Sequence, residues 1–119
     1  MNLQIEADGA TTYLVPVGRI DFDAAPAFQQ AVERVLSGAG QTPPTTVIID
    51  GAKLEYVSSA GLRAVLLLAR AAQRAHIAFA LCALQAPVRE VFNLSGFSQI
   101  MAIHSDRETA RSQSQPPRT

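Results

Sequence analysis

Leu3 and Ile5 alternate with Asn2, Gln4 and Glu6 at the head of the chain, a period of two that predicts a half-buried strand. Asp8 and Gly9 mark a turn, and Tyr13, Leu14 and Val15 open a second strand, so the pair reads as a hairpin. Pro16 has no N–H to donate and belongs where that strand's ladder is already open. Asp23 is placed to cap the next helix, with Pro26 in its first turn. Phe28, Val32, Val35 and Leu36 recur at helical spacing and point that helix at the sheet. Gly38, Gly40, Pro43 and Pro44 end it in a loop.

Val47, Ile48 and Ile49 form an unbroken β-branched run, as expected of a strand covered on both faces. Asp50 ends the run, a short loop follows, and Ser58 and Ser59 open an apolar helix. Its inward stripe reads as Leu62, Val65, Leu66 and Ala69. Ile77 to Cys82 supplies a further strand. Pro87 sits in the first turn of a third helix, with Val88, Val91 and Phe92 as its apolar residues and Gly96 at its end. Ile100 to Ile103 is a last strand, Asp106 begins a helical turn or two, and the composition from Ser112 onward is that of a disordered tail.

Strands and helices in this order predict the α/β class. The expected architecture is one domain over residues 1–106 with a mixed sheet of about five strands, an N-terminal hairpin then alternating helix and strand. Right-handed crossovers pack its helices on the sheet. Residues 107–119 are left as a helical turn and tail.

Composition narrows the function. At 119 residues the chain can bury one real core but not two, and a formal net charge of zero gives no basic face for nucleic acid. Cys82, the single cysteine, excludes an internal disulfide and suits a reducing cytoplasm. The apolar run from Ala64 to Ala69 is too short to span a bilayer and is flanked by Arg63 and Arg70. The first residues read as a strand rather than a signal peptide. A soluble, cytoplasmic chain without a membrane anchor is expected, and a monomer is the default at this size.

Enzymatic chemistry finds little support. No Gly-x-Ser-x-Gly elbow surrounds Ser58 or Ser59, and no His–Asp pair is placed to activate either. His76 and His104 read as surface residues beside strands, and Cys82 as buried packing. Their spacing makes no zinc site, and no glycine-rich phosphate loop is present. The expectation is a non-enzyme with no cofactor. What remains is the serine pair: a hydroxyl at a helix start, on the rim of a sheet, sits where an added phosphate meets outward N–H groups and a favourable dipole.

Four segments together resemble a known family. Gly18-Arg19-Ile20-Asp21, Val47-Ile48-Ile49-Asp50, Tyr56-Val57-Ser58-Ser59-Ala60-Gly61-Leu62-Arg63 and Leu94-Ser95-Gly96-Phe97 look like the STAS domain. More narrowly, the chain is similar to its stand-alone bacterial members, the anti-sigma factor antagonists, over nearly all its length to about Asp106. The serine segment at its distance after a buried strand is the more specific part.

The resemblance implies partner switching. The unphosphorylated antagonist binds an anti-sigma factor that is also a serine kinase of the histidine-kinase-like ATPase fold. Phosphorylation of a serine in this segment breaks the complex, and a PP2C-type phosphatase resets it. Aligned on the glycine, the acceptor is Ser59, with Ser58 the second choice. Many members carry Asp before the acceptor and Ser after it, where this chain has Ser58 and Ala60. The partner-binding set expected from the resemblance and from proximity is Asp21, Ser58, Ser59, Gly61, Leu62, Arg63 and Leu67. Arg63, Leu67, Arg70 and Arg74 share one side of the helix, as a docking face or as a solvated one. Asp23 reads first as a helix cap, and Asp50 as structural at least as readily as functional. STAS-like domains also serve as constitutive interaction subunits in lipid-transport and stress-sensing complexes, which is the alternative reading.

Overall fold

The computed structural model describes residues 1–39 and 41–114, so Gly40 and the tail beyond Ser114 lie outside the described residues. Strands β1 (Asn2–Asp8) and β2 (Thr11–Ile20) pair antiparallel in an unbroken register, confirming the hairpin. Helix α1 (Ala25–Leu36) follows, then β3 (Thr46–Asp50), β4 (Leu54–Val57), α2 (Ser59–Arg74), β5 (Ala78–Cys82) and α3 (Ala86–Leu94). A 3₁₀ turn at Phe97–Gln99, β6 (Ala102–His104) and α4 (Arg107–Gln113) complete the described chain.

The sheet is mixed and runs β1-β2-β3-β5-β6, with β4 joined to β2 off this path. It has six strands rather than about five, because the expected loop after Asp50 contains β4. Strand β2 serves two parallel neighbours in succession: Thr11–Leu14 pair with β3, and Gly18–Ile20 pair with β4. Pro16 falls in the gap between them, where no hydrogen bond is owed.

Alternation along the strands divides the core. Leu14, Val47, Ile49 and Leu81 face α1, α2 and α3, meeting Phe28, Val32, Leu68, Val88 and Phe92. Tyr13, Ile48 and Cys82 face the other way and meet Ala110 of α4. The run Val47-Ile48-Ile49 is therefore covered on both faces, and α4 supplies the second cover.

Helix α2 is rotated from its expected phase. Ala64, Val65, Leu68 and Ala72 are buried, whereas Leu62, Leu66 and Ala69 only flank the core. Six apolar residues in a row, Ala64 to Ala69, leave the period undetermined in the sequence. The last strand also starts later than expected, and Ile100 is exposed in the turn before it.

The C-terminal segment differs most from expectation. Asp106 caps α4 by accepting the Thr109 N–H at 2.7 Å, and the helix includes Ser112, where a tail was expected to begin. Arg107 Nε meets Asp50 Oδ2 at 2.6 Å, and its Nη1 and Nη2 bind the two Glu6 carboxylate oxygens at 3.0 Å each. Its guanidinium also lies 4.5 Å from the centroid of the Tyr13 ring. Arg111 adds a bond to Asp8 at 3.2 Å. One buried methyl, that of Ala110, contributes on the order of 1 kcal/mol. Charge pairing and the Asp106 cap therefore act together with the cover that α4 gives Tyr13, Ile48 and Cys82. His104 is half-buried rather than a surface histidine, and its Nε2 is closed off from solvent without a hydrogen-bond partner among the described residues. Among the described residues no helix is long and apolar enough to cross a membrane.

Candidate functional site

The rim of the sheet where β2 and β4 end gathers the serine pair and the Gly-Arg-Ile-Asp segment. Ile20 pairs with Val57, and the Ser58 N–H donates to the Ile20 carbonyl at 2.9 Å. Asp21 and Ser58, 37 positions apart in sequence, thus start from adjacent backbone. Gly18, at φ +91° beside the register shift, lets β2 turn from one neighbour to the other.

Ser58 is the N-cap of α2. Its backbone is extended, and its Oγ accepts the Gly61 N–H at 3.1 Å. Ser59 stands one position further on, in the first helical turn, with its side chain exposed and free of hydrogen bonds among the described residues. The two serines therefore differ in kind: one oxygen is engaged by the backbone, and the other is available to solvent. The N–H groups of Ser59 and Ala60 lie in the turn that has no intrahelical acceptor.

Gly61 is buried against β2. A Cβ there would lie 2.8 Å from the Ile20 carbonyl oxygen and 2.9 Å from Ile20 Cγ2, closer than real Cβ contacts allow. The absent side chain lets the mouth of α2 sit directly on the end of β2, and this fixes the phase of the helix.

Asp21, not Asp23, caps the entry to α1. Its Oδ1 accepts the Ala24 N–H at 2.8 Å and its carbonyl accepts the Ala25 N–H at 3.0 Å. Asp23 is exposed, and no side chain caps the helix from Ala24. The expectation for Asp23 fails because the chain makes an extra turn over residues 22–24 before the helix begins. Asp50 is buried, only 7% exposed, and holds the Ala52 N–H at 2.9 Å as well as Arg107.

Arg63 and Leu67 face outward on α2, with Leu62 half-buried between that face and the core. Three exposed residues near the ends of β2 and β4 were not foreseen as part of the rim. Phe22, next to Asp21, is 77% exposed, and the Arg19 guanidinium stacks 4.1 Å above the centroid of the exposed Tyr56 ring. An aromatic residue between two aspartates, outside any periodic pattern, was the available signal for Phe22. The rim thus offers a solvent-facing Ser59 hydroxyl and an exposed Arg63 at the mouth of α2, with exposed Phe22 on the chain beyond β2. Cys82 lies away from it under α4, and burial, reinforced by the Asp50 charge, pushes its thiol up to about 12.

Comparison with known proteins identifies the family and the fold. The family described as STAS domain matches residues 2–110. BtrV of Bordetella bronchiseptica, named as a candidate anti-sigma factor antagonist, is 45% identical over 64 residues, covering 54% of this chain and 55% of its own. The match spans about half the length of that relative. A candidate anti-sigma factor antagonist from Thermotoga maritima superposes with a TM-score of 0.84 at 16% identity, covering 93% of this chain and 92% of its own. The Bacillus cell fate determinant SpoIIAA in its phosphorylated form superposes at 0.70 and 21% identity, covering 94% and 98%. These structural likenesses are of fold. With a family match across nearly all the described residues and a rim built from the segments that carry the resemblance, the chain belongs to the STAS domain family.

Proposed function

We propose that this protein is an anti-sigma factor antagonist that works by partner switching, with Ser59 as the switch. The unphosphorylated form docks a serine kinase of the histidine-kinase-like ATPase fold through the rim formed by Asp21, Ser58, Ser59, Gly61, Leu62, Arg63 and Leu67. Phosphorylation of Ser59 dissolves that complex, and a PP2C-type phosphatase restores it. The observation that carries the reading is the exposed Ser59 hydroxyl in the first turn of α2, one residue beyond a serine already engaged as the cap. BtrV, similar over half its length, is named for the same activity.

Physical chemistry explains why binding switches and folding does not. A phosphate on Ser59 adds roughly −1.5 to −2 charges near the positive end of the α2 dipole, which tolerates them. A partner packed over the same spot would have to desolvate a dianion. A penalty of roughly 3–4 kcal/mol weakens binding by hundreds-fold.

The test is incubation with the kinase and ATP, followed by intact mass and peptide mapping. One added phosphate on wild type and none on Ser59→Ala is expected, with Ser59→Asp folded but unable to hold the kinase. A phosphate mapped to Ser58, or a Ser59→Asp variant that binds as wild type does, overturns the reading. Binding indifferent to phosphate would favour a constitutive interaction subunit.

A further inference from the structure

The two edges of the sheet are unequal. Strand β6 has three residues, too few to template another strand. Strand β1 has seven in unbroken register with β2, without proline, glycine, lysine or a bulge. Natural edges are normally defended by such devices or by unpaired charge. The charges on β1 are Glu6 and Asp8, and both are taken up by Arg107 and Arg111 of α4 within the same chain. Ile5, in mid-strand, is 53% exposed beside a cleft of about 550 Å³ whose lining mixes Ala7, Ala31 and Val35 with Arg34, Gln41 and Thr42.

We propose that β1 pairs antiparallel with β1 of a second copy, about a two-fold axis through Ile5. Residue numbers then sum to ten across the junction: Ile5 meets Ile5, Gln4 meets Glu6, Leu3 meets Ala7 and Asn2 meets Asp8. No acid faces an acid directly, and each carboxylate faces an amide. Lys53 Nζ already reaches Gln4 Oε1 at 3.5 Å, so the partner's Glu6 would arrive beside a cation. Leu3, Ile5 and Ala7 share one face of the strand and would join those of the partner in a single apolar strip.

The contact is self-complementary, as a two-fold interface requires. Ile5 is opposite Leu14, six residues before Ile20, so it lies about 20 Å along the strand from the Ser59 rim. Both serines stay free in the pair, and the assembly carries two switches. The proposal is independent of the partner-switching reading, and it replaces the monomer expected from size alone.

Sedimentation equilibrium and an oxidative cross-link test it together. The interface is small, so a dissociation constant of roughly 10–100 µM is expected for wild type, weakened about tenfold or more by Ile5→Lys. Position 5 sits on the axis, where paired Cα atoms are about 4.5–5.5 Å apart, within disulfide range. An Ile5→Cys variant should cross-link under mild oxidation, because Cys82 is buried and does not compete. A Leu3→Cys variant should not, since its two copies would be about 14 Å apart along the strands. Circular dichroism establishes that each variant is folded. A wild type that stays monomeric to about 1 mM, or an edge that takes up only an added foreign strand peptide, overturns the proposal. Cross-linking at position 3 rather than 5, or a dimer unaffected by Ile5→Lys, does the same.

Discussion

Arg107 reaches across the back of the sheet to place its Nε 2.6 Å from Asp50 Oδ2, tying the C-terminal helix to the residue that ends the central strand. Asp50 in turn holds the Ala52 N–H, at the start of the segment that leads into β4 and the serine pair. A helix with one buried methyl is thus part of the domain through its charges as well as through the apolar residues it covers.

Removing that tie should uncover Cys82. Arg107→Ala leaves a buried Asp50 oxygen without its charged donor, and a loss of about 1–3 kcal/mol is expected in denaturant unfolding. At neutral pH the wild-type thiol should resist alkylation, because Ala110 and Tyr13 cover it and its ionisation is suppressed. Chain ending at Asp106 should react at least tenfold faster, roughly, if α4 is its cover. Equal labelling rates in the two proteins would show that something other than α4 protects the cysteine.

Ser58 and Ser59 should separate cleanly in stability. Ser58→Ala removes an N-cap acceptor and should cost about 1 kcal/mol, seen as a Tm lower by a few degrees. Ser59→Ala removes an exposed hydroxyl with no bond to lose and should leave Tm unchanged. Thermal melts of both variants check this, and a larger loss at Ser59 would reverse the assignment of cap and free hydroxyl.

The entry to α1 gives a similar contrast. Asp21→Ala should destabilise the fold by roughly 1 kcal/mol, since the Ala24 N–H loses its acceptor. Asp23→Ala should be nearly neutral. Because Asp21 also belongs to the proposed docking rim, Asp21→Asn, which keeps an acceptor oxygen, separates lost charge from lost cap.

Acid should loosen α4 first. The hydrogen bonds from Arg107 hold Glu6 below its ordinary carboxyl value, and the Thr109 N–H does the same for Asp106. Folded values below unfolded ones contribute stability that is fully present above the unfolded values. That contribution is lost as pH falls through the lower folded ones. Amide protection factors in α4, taken relative to the intrinsic exchange rate at each pH, should therefore fall on acidification before those in β3 or β5 do. Uniform loss of protection across all three elements would count against a local strap.

Much of this fold is legible in the apolar pattern, and the exceptions have physical causes. The runs Phe28–Leu36 and Val47–Ile49 are read correctly because burial selected their side chains. Strand β4 escapes because Leu54 and Val57 are buried while Glu55 and Tyr56 between them are exposed, a spacing of three that lacks the period of two of a strand. The phase of α2 is set by Gly61 resting on Ile20, a contact made by the lack of a side chain. Helix α4 docks through arginines, which hydrophobic periodicity does not register. At the rim, the serine pair and Asp21 stand out in their motifs, whereas Phe22 belongs to no motif, and the stacking of Arg19 on Tyr56, each inside a different motif, emerges only once β2 and β4 are side by side.

The open rung at Pro16 has a consequence of its own. Below it β2 is measured against β3, and above it against β4, so the few residues from Pro16 to Ile20 work as a ruler between the core and the serine mouth. Deleting one of them would slide Asp21 about 3.4 Å and turn it to the opposite side of the sheet, while Ser59 stayed where β4 put it. The chain can thus vary its surface freely around this short span, but the length of the span itself must hold for the two halves of the rim to meet.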